Sequence, residues 1–403
     1  MTPLTRLRFL TAGESHGPRL TGILEGIPAG LGLDLEALQA ELTRRQRGFG
    51  SGPRMKLEQD QVRISGGYTG GRTTGGPLAL TIENRDWENW REREIEPMTK
   101  PRPGHADLTG AIKYGHRELR PSLERASARE TALRVAAGAI CKQLLGELGV
   151  EVGGYIVSLG SVELRRPSTT DEDTYRARFR AALDNDLCAP YPKTSDTIQR
   201  LKDEVQAAIQ AKDTLGGVLE VVALGLPPGL GSFVQWDRRL EARLAFALMS
   251  VQAIKGVEVG EAFDSAQKRG TEVHDELFLG EGGALERQTN RAGGLEGGVT
   301  TGAPLVLRAA KKPISTTLNP RRSVDLATGE AAFTSYERSD FCALPRAVPI
   351  AEAMVALVLA DALLEKLGGD SLDELQARLP TLRRSRLEDL PMDGTPWRFD
   401  YAD

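Results

Sequence analysis

The sequence predicts an α+β protein whose core is a β-α-β sandwich, internally duplicated with pseudo-twofold symmetry. Three blocks recur in the same order: residues 25–32 resemble 224–231, residues 70–78 resemble 297–305, and the helix start at Glu124 resembles the one at Glu337. Repeats of so long a period are unlike those of solenoids and indicate one duplicated half-molecule. We therefore expect one domain over residues 1–403, with halves of about 1–215 and 216–370 and a C-terminal extension, 371–403.

The predicted helices are recognised by apolar residues three or four positions apart. Residues 35–47 have leucines at 35, 38 and 42 and stop before Gly48, as a helix C-terminus commonly does. Residues 123–148 and 346–367 are rich in alanine, which lets other layers approach closely, so we place both helices between the sheets. Residues 195–211 show ordinary amphipathic spacing.

The predicted strands are short and punctuated by glycine. Between residues 61 and 83, apolar runs alternate with Gly-Gly and Thr-Thr-Gly, a pattern typical of hairpins in an antiparallel sheet. Residues 219–226 predict a further apolar strand. Strands on either side of two helical layers favour the sandwich. The polar chain after residue 367, with Arg383, Arg384 and Arg386, is expected to be a solvated extension.

Charge is nearly balanced, with 52 basic against 56 acidic residues. There is no global positive field of the kind that recruits nucleic acid or anionic membranes, so an anion site must be built locally. Residues 1–10 lack the apolar core of a signal peptide, and we expect no segment long enough to cross a bilayer. The protein is therefore expected to be cytoplasmic. The widely spaced Cys141, Cys188 and Cys342 predict reduced, packed thiols.

Two loop histidines are the candidate acid–base groups. His16 lies among glycines that allow the backbone to turn near a ligand, and His105 follows a proline-rich loop. Arg19 and Arg102 flank them and can bind an anion, beside which an imidazole titrates near neutral pH and can act as a general acid. No two histidines or cysteines have close ligand spacing, so we expect no metal site.

Arginines on loops and helix starts are the candidate anion ligands, because guanidinium forks suit phosphate and carboxylate groups. They are Arg44, Arg45, Arg47, Arg54, Arg102, Arg125, Arg129 and Arg338. The glycine-rich segment at 297–302 lacks the Gly-Lys-Ser/Thr ending of a nucleotide-binding loop, and no G-x-G-x-x-G separates a strand from a helix. The sequence therefore predicts an acidic metabolite, rather than ATP or a Rossmann-bound dinucleotide, as the ligand.

Five motifs, in order, resemble those of the chorismate synthase family along nearly the whole chain. They are Thr-Ala-Gly-Glu-Ser-His-Gly at 11–17, Pro-Arg-Pro-Gly-His-Ala-Asp at 101–107, Ser-Ala-Arg-Glu-Thr at 127–131, Val-Gln-Trp-Asp at 234–237 and Glu-Arg-Ser-Asp at 337–340. The resemblance implies an anti-1,4-elimination that converts 5-enolpyruvylshikimate 3-phosphate to chorismate and phosphate, with reduced FMN and no net redox change. It also implies a homotetramer whose flavin is reduced by its own NADPH-dependent activity or by a separate reductase.

The resemblance also implies a role for each matching residue. His16 would protonate the departing phosphate, His105 would protonate the reduced flavin or keep it protonated, and Asp340 would help flavin N5 accept the substrate's C6 proton. The substrate's anionic groups would be held by Arg45, Arg54, Arg102, Arg129 and Arg338. The flavin would be contacted by Arg125, Ala126, Ser127, Gln252, Ala253, Gly297, Lys312, Pro313, Ile314, Ser315, Thr316 and Arg338. Ser51 stands where the family usually has an arginine, which predicts a lighter substrate clamp.

Two other functions stay open at the level of sequence. An FMN oxidoreductase would use the same flavin and cationic pocket, and would consume reductant steadily when its substrate is present. A non-enzymatic anion-binding or RNA-associated protein would need an extended basic surface around Arg383, Arg384 and Arg386, against which the balanced charge argues.

Overall fold

Two antiparallel sheets enclose a layer of two long helices. The computed structural model describes residues 4–51, 59–167, 169–337, 339–399 and 401. The strands are β1 (Arg8–Ala12), β2 (Arg19–Glu25), β3 (Val62–Ile64), β4 (Tyr68–Thr69), β5 (Arg72–Thr73), β6 (Leu78–Glu83), β7 (Glu151–Leu159), β8 (Val162–Glu163), β9 (Gly217–Leu224), β10 (Ile254–Val259), β11 (Leu277–Leu279), β12 (Leu285–Arg287), β13 (Leu295–Glu296), β14 (Val299–Thr300), β15 (Leu305–Lys311), β16 (Arg322–Val324) and β17 (Ala331–Phe333). The helices are α1 (Leu35–Gln46), α2 (Asp107–Tyr114), α3 (Arg120–Ala126), α4 (Thr131–Glu147), α5 (Glu172–Leu183), α6 (Asp196–Gln210), α7 (Leu240–Met249), α8 (Ala262–Ser265), α9 (Gly270–Val273), α10 (Leu344–Leu367) and α11 (Leu372–Arg378).

The first sheet has the strand order β1-β2-β6-β3, and the second has β10-β15-β9-β7-β8. Burial alternates along β2 and β6, as expected for strands with one face on the core. In contrast, β9 is buried almost throughout, because α10 packs on the second sheet and α5 also packs against β7. These strands confirm the expected α+β class and the sandwich of sheets around helices.

The helical layer depends on close approach of α4 and α10, which contact each other more extensively than any other pair of elements. Gly138 on α4 lies directly against Ala353 on α10, where a Cβ on Gly138 would collide with the Cβ and Cα of Ala353. Small residues therefore bring the two helices together, as the alanine content predicted. The layer then contacts the first sheet mainly through α4 and the second mainly through α10.

The segment predicted as one helix over residues 123–148 is interrupted. After α3 ends at Ala126, Ser127 is extended (φ −61°, ψ 140°), and its side chain accepts a hydrogen bond from Arg129 N. A short 3-10 turn over Ala128–Glu130 then leads into α4. The break turns the backbone at the residues that contribute to the site described below.

The strand order supports the predicted repeat. The first unit contains, in chain order, the elements β1, β2, α1, β3, β6 and α4. The second contains, in the same kind of order, β7, β9, α7, β10, β15 and α10. The corresponding strands occupy the same positions, β1-β2-β6-β3 and β7-β9-β15-β10. However, β7 lies in the second sheet, so this topology favours a division between α4 and β7 rather than near residue 215. Pseudo-twofold superposition of the units stays a prediction.

Equivalent threonines make the same hydrogen bonds in both units. Thr73 Oγ1 donates to the carbonyl of Pro28 at 2.6 Å and accepts from the N–H of Leu31 at 3.0 Å. Thr300 Oγ1 makes the matching pair with a proline carbonyl and a leucine N–H of its own unit, at 2.7 and 2.8 Å. Both threonines are buried, so each hydroxyl satisfies two backbone groups that water does not reach.

Helix α10 corrects the expectation that no segment is long enough to cross a bilayer. It has 24 residues, and its apolar window has a mean hydropathy of 2.0, yet 94% of that window is buried inside the fold. Its apolar surface is covered by α4, β7 and β9, as in the core helix of a globular protein.

A carboxylate on α10 fixes the beginning of the described chain. The N–H groups of Thr5, Arg6 and Leu7 all donate to Asp361, at distances of 2.7 to 3.0 Å. Asp361 is fully buried and also forms an ion pair with Arg243 on α7. The N-terminal segment is thereby attached to the last long helix.

Candidate active site

Two adjoining cavities lie beside the N-terminal end of α10. The larger has a volume of about 570 Å³ and the smaller about 420 Å³. Arg102, His105 and Ser127 line both, so the cavities meet at these residues. His16 lines the smaller cavity and Asp340 the larger. The three predicted catalytic residues therefore belong to one composite site.

His105 is held by the first residue of α2. Its Nδ1 lies 2.6 Å from Asp107 Oδ1 and 3.1 Å from Arg102 Nη2. The two contacts require opposite roles of Nδ1, because a guanidinium can only donate a hydrogen bond and an ionised carboxylate can only accept one. The shorter contact assigns Nδ1 as a donor to Asp107. Burial alone would raise the pKa of Asp107, but hydrogen bonds from His105 and Arg102 lower it well below its usual range. Asp107 therefore stays ionised and fixes the orientation of the imidazole.

His16 has a similar carboxylate partner on a different element. It lies in the loop between β1 and β2, where its Nδ1 is 2.8 Å from Glu124 Oε1 and its backbone N–H donates to Glu124 Oε2 at 2.8 Å. Burial favours a raised pKa for Glu124, but the hydrogen bonds from His16 lower it overall. The ring of Trp90 lies against the imidazole with a centroid distance of 4.3 Å. Glu124 and Trp90 therefore set the position of His16.

Three predicted substrate arginines line the larger cavity and already have carboxylate partners behind it. Arg45 and Arg129 both pair with the buried Asp60, at 3.2 and 2.5 Å. Arg102 forms a fork on Asp107, with nitrogen–oxygen distances of 2.8 and 2.9 Å. These contacts fix the planes of the guanidinium groups before a ligand arrives, which reduces the entropy lost on binding.

Asp340 forms an ion pair with Arg346, in the first turn of α10. Arg346 Nε also donates to the carbonyl of Arg45 at 2.9 Å and thereby joins α10 to the end of α1. Burial, together with Arg346 and Arg129, lowers the pKa of the Arg45 guanidinium, and Asp60 partly opposes this. Nothing in the apolar sequence around Arg346 indicated that it would reach the site.

Most of the expected flavin-contacting residues also come together. The larger cavity is lined by Ala126, Ser127, Gln252, Ala253, Lys312, Ile314, Ser315 and Thr316. Pro313 lies within this segment but does not line the cavity, and neither do Arg125 and Gly297. The guanidinium of Arg125 instead donates to the carbonyls of Thr11 and Gly13. Arg54 and Arg338 lie outside the described residues.

Orphaned polar atoms indicate that the larger cavity is built to hold a ligand. Gln252 Oε1 and Lys311 Nζ are buried and have no hydrogen-bond partner among the described residues. Ala253 has φ 68°, a left-handed conformation that is unfavourable for alanine and that concentrates at functional sites. A ligand with both donor and acceptor atoms, such as a flavin, fits this lining.

Two other residues of the sequence analysis have structural roles away from the cavities. Arg44 pairs with the fully buried Glu352 at 2.9 Å, and Lys142 pairs with the same carboxylate. Although burial alone would raise the pKa of Glu352, these two cations lower it overall. The hydroxyl of Ser51 donates to the carbonyl of Gly48 at 2.7 Å, and Ser51 does not line either cavity.

Cations predominate around the larger cavity. Six basic side chains line it: Arg45, Arg102, Arg129, Lys311, Lys312 and Arg346. Asp340 is the single carboxylate in the described part of the lining, while Asp60 and Asp107 lie behind. Among the described residues no group of histidine, cysteine, aspartate or glutamate side chains has the arrangement of a metal site. A cavity lined mainly by basic side chains is typical of enzymes that act on small metabolites with several anionic groups.

Comparison with known proteins identifies the family. The sequence model of the family described as chorismate synthase matches residues 7–364. The chorismate synthase of Aquifex aeolicus is 50% identical over 388 residues, which cover 93% of this chain and 97% of the relative. That of Trichlorobacter lovleyi is 52% identical over 386 residues, covering 92% and 97%. A crystal structure of chorismate synthase superposes with a TM-score of 0.77 at 44% identity, covering 94% of this chain and 97% of the other. The chain belongs to the chorismate synthase family, and is a lyase.

Proposed function

We propose that the composite site carries out the anti-1,4-elimination of phosphate from 5-enolpyruvylshikimate 3-phosphate, with FMN bound in its reduced form. The observation that carries the proposal is the pair of carboxylate-bound histidines at adjoining cavities that share Arg102. The reaction removes phosphate and the C6 proton from the substrate, so substrate and product do not differ in electrons.

His16 is the proton donor for the departing phosphate. The ionised Glu124 binds Nδ1 at 2.8 Å and fixes the orientation of the imidazole, so that Nε2 is the ring nitrogen left for the phosphate. Trp90 closes one side of the ring, and Arg93 and Arg120 lie over Trp90 at 5.5 and 6.0 Å from its ring centroid. These cations favour a phosphate group near His16.

The cofactor side of the site is formed by the lining segment 312–316, with Ser127, Gln252 and His105. Reduced FMN, when bound, supplies an electron-rich ring that stabilises the charge or radical character that develops as the C6 proton and the phosphate are lost. His105, with Nδ1 bound to Asp107, retains Nε2 for a proton exchanged with the cofactor. Asp340 is the carboxylate that assists removal of the C6 proton.

Arg45, Arg102 and Arg129 bind the carboxylates and the phosphate of the substrate. Each is at least nine-tenths buried and is oriented by Asp60 or Asp107. Charge-assisted hydrogen bonds from such pre-oriented guanidinium groups hold the substrate in one orientation, which an elimination of fixed stereochemistry requires. Arg54, Arg125, Gly297, Pro313 and Arg338 are retained in the proposal on the family resemblance.

The proposal extends to the assembly and to the supply of reduced flavin. We infer a cytoplasmic homotetramer that obtains reducing equivalents from its own NADPH-dependent activity or from a separate reductase. Large apolar side chains such as Phe233, Trp236 and Phe263 are 67 to 75% exposed on the single chain, which supports burial between subunits. Sedimentation equilibrium measures the mass of the assembly, and a monomer at micromolar concentration would contradict the tetramer.

An anaerobic assay tests the reaction. The purified protein is mixed with photoreduced FMN and 5-enolpyruvylshikimate 3-phosphate, and chorismate is followed by its absorbance. Many turnovers are expected for each FMN reduced, because the flavin is not consumed. Product stoichiometric with reductant in strict absence of oxygen would instead indicate an FMN oxidoreductase and contradict the elimination.

A further inference from the structure

The last residue of β15 brings a second lysine into the larger cavity. Leu305, Leu307 and Ala309 are fully buried on one face of β15 and belong to the main core cluster, which also contains residues of α4 and α10. Lys311 occupies the next position on that face, because successive side chains of a strand point to opposite sides. The residue is only 7% exposed and lines the cavity beside Asp340. A charged side chain therefore ends an otherwise apolar row.

The ammonium of Lys311 lacks a hydrogen-bond partner in the described part of the chain. Its Nζ is buried and makes no hydrogen bond there, whereas Nζ of the adjacent Lys312 donates to the carbonyl of Gly104 at 3.0 Å. Burial lowers the pKa of Lys311 to about 8, although Cys342 and Asp340 act in the opposite direction. A buried ammonium with unused N–H groups is unfavourable unless an acceptor is supplied.

We propose that Lys311 is an anion-binding residue of the larger cavity, and that a negatively charged oxygen of the bound ligand completes its hydrogen bonding. This inference rests on the proposed function, because it takes the ligand to be FMN or the substrate. Both carry phosphate, and the substrate also carries carboxylates. Lys312 and Arg346 add positive charge around Lys311 and strengthen the preference for an anion.

The variant Lys311→Met tests the proposal because it removes the charge and keeps a long apolar stem. We expect it to bind FMN or the substrate about ten- to a hundredfold more weakly, as for loss of a charge-assisted hydrogen bond. FMN binding is measured by quenching of flavin fluorescence, and substrate binding by calorimetry with FMN present. Weakening of FMN alone assigns the contact to the cofactor, and weakening of the substrate alone assigns it to the substrate.

The thermal stability of the ligand-free protein provides a second measurement, in which Lys311→Met should be stabilising rather than harmful. Removal of a buried charge whose hydrogen bonding is unsatisfied should raise Tm, by about 2 °C or more, while the ligand-induced rise in Tm should shrink. Lys268→Met, which neutralises an exposed lysine, is the matched control and should change neither affinity nor Tm appreciably. A purely structural role would lower Tm without this reversal.

Specific outcomes would overturn the role of Lys311. They are affinities for both ligands within twofold of wild type, or a lower Tm for ligand-free Lys311→Met. Lys311→Gln serves as a second variant, and failure of both variants to fold would show that the ammonium has a structural partner. If wild-type protein binds neither ligand, the proposed function itself fails, and this inference fails with it.

Discussion

At the scale of single residues, the site depends on carboxylates that act through other side chains. Asp107 and Glu124 each accept from Nδ1 of a histidine, and Asp60 orients two arginines. A carboxylate at Nδ1 fixes both the tautomer and the orientation of an imidazole, which leaves the other ring nitrogen to meet the ligand. The sequence indicated the two histidines through their motifs, but it gave these carboxylates no role.

Replacing either histidine should reduce turnover without unfolding the protein. His16→Ala and His105→Ala are each expected to lower the rate about a hundred- to ten-thousand-fold, the usual contribution of a general acid. Both residues lie on loops, so circular dichroism should be unchanged. His274→Ala, at an exposed position outside both cavities, is the matched control. Activity within a few-fold of wild type would exclude that histidine from catalysis.

Glu124 predicts a particular dependence of stability on pH. Its pKa in the folded protein is below its ordinary value of 4.5, because its hydrogen bonds with His16 outweigh burial. A lowered folded-state pKa contributes stability above the unfolded value, and this is lost as pH falls through the folded value. Glu124→Gln should therefore be less stable than wild type near pH 6, with a gap that narrows below about pH 4.5. Urea denaturation between pH 3 and 6 measures the gap, and a constant difference would disprove this assignment.

At the scale of elements, the spacing of apolar residues predicted the lengths and positions of helices well, but it did not predict where a helix is interrupted. Helices α1 and α6 begin and end within one residue of the predicted ranges 35–47 and 195–211. The break before α4 was missed, because it depends on the Ser127 cap within a continuous helical pattern. Arg346 and Lys311 were also missed. The neighbouring sequence does not distinguish a buried basic residue beside an apolar run from a solvent-exposed one. Arg346 and Lys311 reach the cavity only because α10 packs on the second sheet.

The contact between α4 and α10 should not tolerate even one additional methyl group. Gly138→Ala would normally favour a helix, but here its Cβ meets the Cβ and backbone of Ala353. We expect net destabilisation of about 1 to 3 kcal/mol from overpacking. Gly146→Ala on the same helix has no atom within 4 Å of the new Cβ, and should stabilise by up to about 1 kcal/mol. Chemical denaturation of both variants checks the opposite signs, and equal effects would argue against close packing.

At the scale of the whole molecule, two similar units share one helical layer. The strand orders and the threonine hydrogen bonds agree between the units, although only short segments of sequence do. The sequence repeats predicted a division near residue 215, whereas the strand order favours one between α4 and β7, and the position of the boundary stays a prediction.

Equivalent substitutions in the two units should have similar effects. Thr73→Val and Thr300→Val keep the side-chain shape but leave a buried carbonyl and a buried N–H without partners. Each substitution is expected to lower the free energy of unfolding by about 1 to 3 kcal/mol. Calorimetric unfolding measures both variants. A large loss in one and none in the other would show that the two turns are not equivalent, as would separate rotations when the units are superposed.

The attachment of the N-terminus to Asp361 has a consequence for synthesis on the ribosome. Three backbone N–H groups, of residues 5–7, lack their acceptor until a carboxylate 354 to 356 positions later has been synthesised. At about 5 to 20 residues per second, that delay is roughly 20 to 70 seconds. During this interval β1, an edge strand of the first sheet, lacks its anchor. The nascent chain therefore presents an unsecured strand edge, the kind of surface that chaperones protect, until its last long helix has been made.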